Sequence, residues 1–128
     1  MIRTLLFAKL HRATVTAANV NYVGSITIDK DLLRATGIHE YERVQVVDVD
    51  NGSRLETYVI EGPAGSGAIE LNGAAARLVS VGDKVIIMAY AMVDEPLPAD
   101  WEPTVLIMGA DNQVVETRHG EIAREIYR

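Results

Sequence analysis

Short stretches of alternating apolar and polar residues, broken every few positions by Gly, Asn, Asp or Pro, run through almost the whole chain. From Ala8 to Ala17 the alternation predicts extended backbone, with Lys9 and His11 on one face of the pleat and Leu10 on the other. The apolar phase slips at Arg12 before Ala13, Val15 and Ala17 resume it, which predicts a bulge or bend there. Asn19 to Gly24 reads as a loop and Ile26-Thr27-Ile28 as a strand. Asp29 or Asp31 is placed to cap a short helix through Leu32, Leu33 and Ala35, with Gly37 as its stop. Arg43 to Val49 is β-branched, and Asp50-Asn51-Gly52 is a hairpin turn because Asn-Gly accepts positive φ. On the return strand, Ser53 to Ile60, Arg54, Glu56 and Tyr58 share one face while Leu55, Thr57 and Val59 take the other.

Gly62-Pro63-Ala64-Gly65-Ser66-Gly67 follows as a hairpin loop, and Ala68 to Leu71 as a short strand running into Asn72-Gly73-Ala74-Ala75-Ala76. After the Gly82-Asp83 turn, Lys84 to Met92 is the most hydrophobic strand and is expected at the centre of the core. Three prolines make Glu95 to Pro103 irregular. Thr104 to Met108 and Gln113 to Thr117 predict a second hairpin around Gly109-Ala110-Asp111-Asn112. Glu121 to Arg128 is open between a short helix and a frayed tail. Many short strands with frequent turns indicate an all-β (mainly β) chain folded as a small closed barrel with short helices. No repeat or linker divides residues 1–128, so a single domain is expected.

Composition narrows the function classes. An apolar share of 48% and a charged share of 23% describe an ordinary globular chain. The absence of cysteine excludes disulfides, thiol nucleophiles and Cys-ligated zinc. A net charge of −6 argues against nucleic-acid partners, including a swapped-hairpin DNA-binding regulator. The apolar runs in Met1 to Lys9 and in Val85 to Val93 are too short for a signal peptide or a membrane span, so a cytoplasmic protein without a membrane partner is expected.

Candidate chemistry is sparse. His11, His39 and His119 are scattered singly, so no metal site is expected, and His11 reads as the partner of a nearby polar group. The Gly62 to Gly67 loop lacks the Lys-Ser/Thr pair of a phosphate loop. Gly24-Ser25 is a common turn dipeptide, yet a serine after a strained glycine is able to attack its own peptide bond if the fold holds it there. Lys9, Arg54, Tyr58 and the small residues after Asn72 make a dicarboxylate site only if the fold gathers them.

Taken in order, these motifs resemble the bacterial pyruvoyl-dependent aspartate 1-decarboxylases. The resemblance runs through Met1-Ile2-Arg3-Thr4, Lys9 to Thr16, Tyr22-Val23-Gly24-Ser25, Asp50-Asn51-Gly52, Arg54, Thr57-Tyr58, Asn72 to Ala76 and Val81-Gly82-Asp83. It covers residues 1 to about 108 and leaves 109–128 as a variable C-terminal segment. Asn19 stands where an acidic residue is expected, Asn21 lies at a variable position, and Arg77 replaces an expected histidine.

The resemblance implies a double-psi β-barrel, assembled as a homotetramer with active sites between subunits. It implies a precursor that cuts itself into residues 1–24 (the β chain) and 25–128 (the α chain), Ser25 becoming an N-terminal pyruvoyl group, with no metal and no pyridoxal phosphate. Decarboxylation of L-aspartate to β-alanine, feeding pantothenate and coenzyme A biosynthesis, is the implied activity, with the pyruvoyl ketone as electron sink. Ser25 and Tyr58 are the implied catalytic residues, Tyr58 as proton donor. Gly24, Ser25 and Thr57 would serve cleavage. Lys9, Arg54, Thr57, Asn72, Gly73, Ala74 and Ala75 would hold substrate, supported by His11 and Tyr22. Which cation takes which carboxylate, and whether maturation needs an accessory factor, stay open. Strict alternation puts Thr57 opposite Arg54 and Tyr58, so either the strand bends or Thr57 addresses the precursor loop from another side. The alternative without chemistry is a small β-barrel binding an acidic ligand or a protein partner.

Overall fold

The computed structural model describes residues 1–126. Its longest strand, β1 (Ile2–Thr14), pairs antiparallel with β7 (Lys84–Asp94) from Ile2↔Asp94 to Thr14↔Lys84. The register shifts between Leu10 and Ala13, and Arg12 takes a positive φ of 64°. That extra residue lets Ala8, Leu10, Ala13 and Val15 all point inward, each at most 1% exposed, which explains the phase slip in the sequence. The strand begins earlier than the alternation alone suggested, because Ile2 to Leu6 also pair with β7.

The other elements are β2 (Ala17–Asn19), β3 (Ser25–Asp29), α1 (Lys30–Thr36), β4 (Arg43–Asp48), β5 (Arg54–Gly62), β6 (Ile69–Asn72), β8 (Thr104–Met108) and β9 (Val114–His119). Short 3-10 turns at Gly73–Leu78 and Ala110–Asn112 complete the set. The nine strands form one sheet in the order β2-β6-β3-β5-β4-β7-β1-β8-β9, and the chain is mainly β as expected. Strand β2 lies at one edge and β1 near the other, although only Val15 and Thr16 separate them. The sheet therefore curls until these ends meet. At the meeting point Thr16 N–H donates to Ile69 O at 2.8 Å, and Ile69 N–H donates to Thr16 Oγ1 at 3.0 Å. Asn112 stitches the same seam from the side. Its Oδ1 accepts Thr14 N–H at 2.7 Å while its Nδ2 donates to the carbonyls of Thr14 (2.9 Å) and Gly67 (2.7 Å). The core inside the curl includes Leu10, Ile26, Ile28, Val46, Val59, Leu71, Val85 and Ile87.

Between the two candidate caps, the structure selects Asp29, whose Oδ1 accepts Asp31 N–H at 2.8 Å, and Gly37 ends α1 with φ 80°. The Gly62 to Gly67 loop is not a hairpin. Strands β5 and β6 do not pair; both flank β3, parallel to β5 and antiparallel to β6. The loop also satisfies the buried Asp29 carboxylate, with Gly65 and Gly67 N–H donating at 3.0 and 2.8 Å. In the Asn51-Gly52 turn only Gly52, at φ 78°, uses the left-handed region. The β8–β9 hairpin forms as expected, but residues 121–126 hold no helix, and the last two positions lie outside the described residues. No helix among the described residues is long and apolar enough to cross a membrane.

At the β4–β5 turn, Asp48 is buried, and its Oδ1 accepts the N–H groups of Asp50 and Asn51 at 2.8 and 3.2 Å. Its Oδ2 lies with the carboxylates of Asp50 and Asp83. Burial, then contact with Asp83, raises the Asp48 pKa above its ordinary 3.8, whereas the bond from Asp48 and then Ser80 N–H lower that of Asp83. The contribution of Asp48 is thus full below pH 3.8 and lost as pH rises through its raised pKa. That of Asp83 runs the other way, being lost as pH falls through its depressed pKa. Asp48→Asn keeps both accepted bonds and adds a neutral donor toward Asp83. Thermal unfolding should show this variant more stable at pH 7 by roughly 1 kcal/mol, about 3 °C, with the gap shrinking toward pH 4. An equal midpoint at pH 7 would contradict the assignment.

Candidate active site

The Gly24–Ser25 peptide sits where β3 begins, directly against the end of β6. Ser25 pairs across the ladder with Asn72, and Asn72 Nδ2 donates to Ser25 Oγ at 2.9 Å and to Thr27 Oγ1 at 3.1 Å. Ser25 lies on the outer face of β3, since Ile26 and Ile28 fill the core, yet it is only 4% exposed. Gly73 presses on the same peptide from the next position. With φ 68°, it leaves no room for a side chain: a Cβ there would stand 2.8 Å from Gly24 Cα, 2.9 Å from Gly24 N and 3.2 Å from Tyr22 O. The small-residue motif after Asn72 thus has a definite geometric use. Ala74 is exposed and Ala75 half-buried in the 3-10 turn, and Tyr22 is 61% exposed beside the loop.

Strand β5 flanks β3 on the other side. The parallel register runs from Ile26↔Val59 to Asp29↔Gly62, so Ser25 and Tyr58 are the residues that precede its first pair on the two strands. Tyr58 and Arg54 face outward with Ser25, opposite the core residue Val59. Tyr58 stacks on Tyr41, their ring centroids 6.4 Å apart. Thr57 pairs with buried Val44 and faces the other way, so β5 keeps its alternation and does not bend to bring Thr57 beside Tyr58.

The convergence of both cations expected from the sequence does not occur within one chain. A cross-strand row runs Lys9–Met88–Gln45–Glu56, placing Lys9 three strands from β5. At roughly 4.8 Å per strand that is about 14 Å around the sheet. Lys9 Nζ instead pairs with Glu121 Oε2 at 3.0 Å. His11 shares its face, and burial, followed by the charges of Lys9 and Arg12, lowers the His11 pKa against the opposing pull of Glu121. Arg54 is exposed and makes no ion pair among the described residues. A cleft of about 410 Å³ is lined by residues that include Thr4, Arg43, Gln45, Glu56, Tyr90 and Met92, none of them a candidate site residue.

Three residues at or near this arrangement carried no signal in the sequence. Tyr41 reaches Tyr58 from a loop residue with φ 69°, Glu121 sits in the variable tail, and Asn112 reads as an ordinary turn residue.

A buried serine hydroxyl, an amide donor upon it and a glycine pressed against the preceding peptide thus meet at the Gly24–Ser25 bond. Residues 1–115 match the family model described as aspartate decarboxylase. The aspartate 1-decarboxylase of Carboxydothermus hydrogenoformans is 57% identical over 122 residues, 95% of this chain and 96% of that one. That of Bacillus thuringiensis is 57% identical over 126 residues, 98% and 99% of the two chains. The rationally designed mkDPBB_sym_86 protein superposes with a TM-score of 0.45 at 19% identity, over 62% of this chain and 91% of its own. The chain belongs to the aspartate decarboxylase family, and its class is that of a decarboxylating enzyme.

The close approach at Gly73 yields a comparison of two glycines. Gly52→Ala, at φ 78° with open space around it, should cost only the left-handed strain of roughly 1–2 kcal/mol. Gly73→Ala adds a clash with Gly24 and should lower the thermal midpoint clearly further, by about 2 kcal/mol more in stability. Equal losses in denaturant titrations would refute the tight packing.

Proposed function

We propose that this chain decarboxylates L-aspartate to β-alanine and carbon dioxide after cutting itself between Gly24 and Ser25. Family membership supports the substrate, and the single observation that supports the cleavage is the 2.9 Å bond from Asn72 Nδ2 to the buried Ser25 Oγ. That bond fixes the hydroxyl beside its own peptide and steadies negative charge on oxygen as its proton leaves. Ser25 Oγ attacks the Gly24 carbonyl carbon, the C–N bond breaks, and an ester replaces the amide. Elimination frees the Gly24 carboxylate and leaves dehydroalanine, whose hydrolysis releases ammonia and leaves a pyruvoyl group at residue 25. Thr57, on β5 next to Tyr58 but on the opposite face, is the group assigned to polarise that carbonyl, approaching it from the side away from Tyr58.

The donor set suits such a group. Its ketone carbon would be the former Ser25 Cα, on the strand position that pairs with Asn72. When present, it supplies an electrophile for the substrate amine and a sink for the electrons released with carbon dioxide. Tyr58, on the same outer face as Ser25, donates the proton to the α-carbon. Gly73, Ala74 and Ala75 hold substrate through backbone groups, with Tyr22 beside them. Arg54 binds one carboxylate. Lys9, supported by His11, binds the other, and its separation from β5 favours its supply by a second copy in a homotetramer with shared sites. β-Alanine would then feed pantothenate and coenzyme A synthesis in the cytoplasm.

Denaturing mass spectrometry of purified protein tests this reading. Two fragments meeting at Gly24/Ser25 are expected, the larger without an N-terminal amine. Ser25→Ala should stay intact and inactive. Tyr58→Phe should cleave yet lose turnover by about a hundredfold or more, and Lys9→Met should raise KM about tenfold. An intact chain after prolonged warm incubation, with no turnover of L-aspartate, would leave the non-catalytic barrel as the better account.

A further inference from the structure

Beyond β9 the chain turns back over β1 and places a carboxylate on the one cation that the proposed site borrows. Glu121 Oε2 lies 3.0 Å from Lys9 Nζ, and the Lys9 side chain is only 16% exposed. The approach is built rather than incidental. Gly120 turns the chain with φ 91°, its N–H donating to Pro103 O at 2.8 Å. Farther along, the Glu125 carboxylate accepts both terminal guanidinium nitrogens of Arg118. Glu121 is therefore held between two fixed points, a strap closed at both ends. Its side chain offers Lys9 the same group that a dicarboxylate substrate would, a carboxylate on a short flexible stem.

We propose that Glu121 is an internal competitor for the substrate carboxylate at Lys9, so that the strap sets the affinity for dicarboxylates and must yield when one binds. This rests on the assignment of Lys9 to substrate binding. A partly exposed ion pair of this kind is worth up to about 1 kcal/mol, so releasing it changes affinity about two- to fivefold. The opposite role, in which Glu121 holds Lys9 in its working position, predicts the opposite sign.

Steady-state kinetics on the cleaved, assembled full-length enzyme separate these possibilities. Glu121→Gln should lower KM for L-aspartate about two- to fivefold with kcat unchanged. It should lower the inhibition constant of succinate, which lacks the reacting amine, by the same factor. In a Lys9→Met background the Glu121→Gln change should have no effect on either constant. An unchanged or raised KM in Glu121→Gln, with Lys9→Met itself raising KM, would overturn the competitor role and leave the reading of Lys9 standing. No effect of Lys9→Met alone would remove both.

Discussion

The meeting of Ser25 with Asn72 is the constraint on which the rest of the site depends. Two antiparallel strands bring these residues opposite one another, and the side-chain amide of one donates to the hydroxyl of the other at 2.9 Å. The next residue, Gly73, has no Cβ and so comes down onto Gly24, fixing the peptide from a second direction. A hydroxyl beside its own peptide bond is ordinarily harmless, because free rotation keeps it out of line. Ladder pairing, an amide donor and a close backbone contact together remove that freedom.

The curl of the sheet makes this local arrangement durable. Thr16 and Asn112 tie the seam beside β6, the strand that carries Asn72, so the site is anchored to a hydrogen-bonded seam of the fold. The loop that satisfies Asp29 also joins this region, since Asn112 donates to its Gly67 carbonyl. The cations lie elsewhere: Arg54 on the neighbouring strand face and Lys9 three strands away, covered by Glu121. One chain thus carries all the parts of the proposed chemistry, and it brings Ser25, Asn72, Gly73 and Tyr58 to one region while leaving Lys9 apart.

Local structure is legible in the sequence where one residue type has one physical use. The phase slip marks the Arg12 bulge and Gly37 marks the helix end, both from short-range backbone preferences, whereas the choice of Asp29 over Asp31 as cap is made by the structure. Long-range partners were another matter. Nothing in the spacing of Gly62 to Gly67 tells whether the flanking strands pair with each other or straddle a third, and they straddle β3. Nor does sequence order show that Asn112 closes the seam, that Tyr41 reaches Tyr58, or that Glu121 covers Lys9. The candidate site residues are named through the resemblance to a family, not through their spacing. The separation of Lys9 from the others appears only once the strands have an order in space.

The central claim is that Asn72 drives the self-cleavage by holding Ser25, and the rate of cleavage measures it most directly. Freshly purified precursor of the parent and of Asn72→Ala, both checked for an unchanged circular dichroism spectrum, would be followed by time-resolved denaturing mass spectrometry. Loss of the donor should slow formation of the 1–24 and 25–128 fragments by about a hundredfold or more. Cleavage of Asn72→Ala at the parental rate would contradict the account.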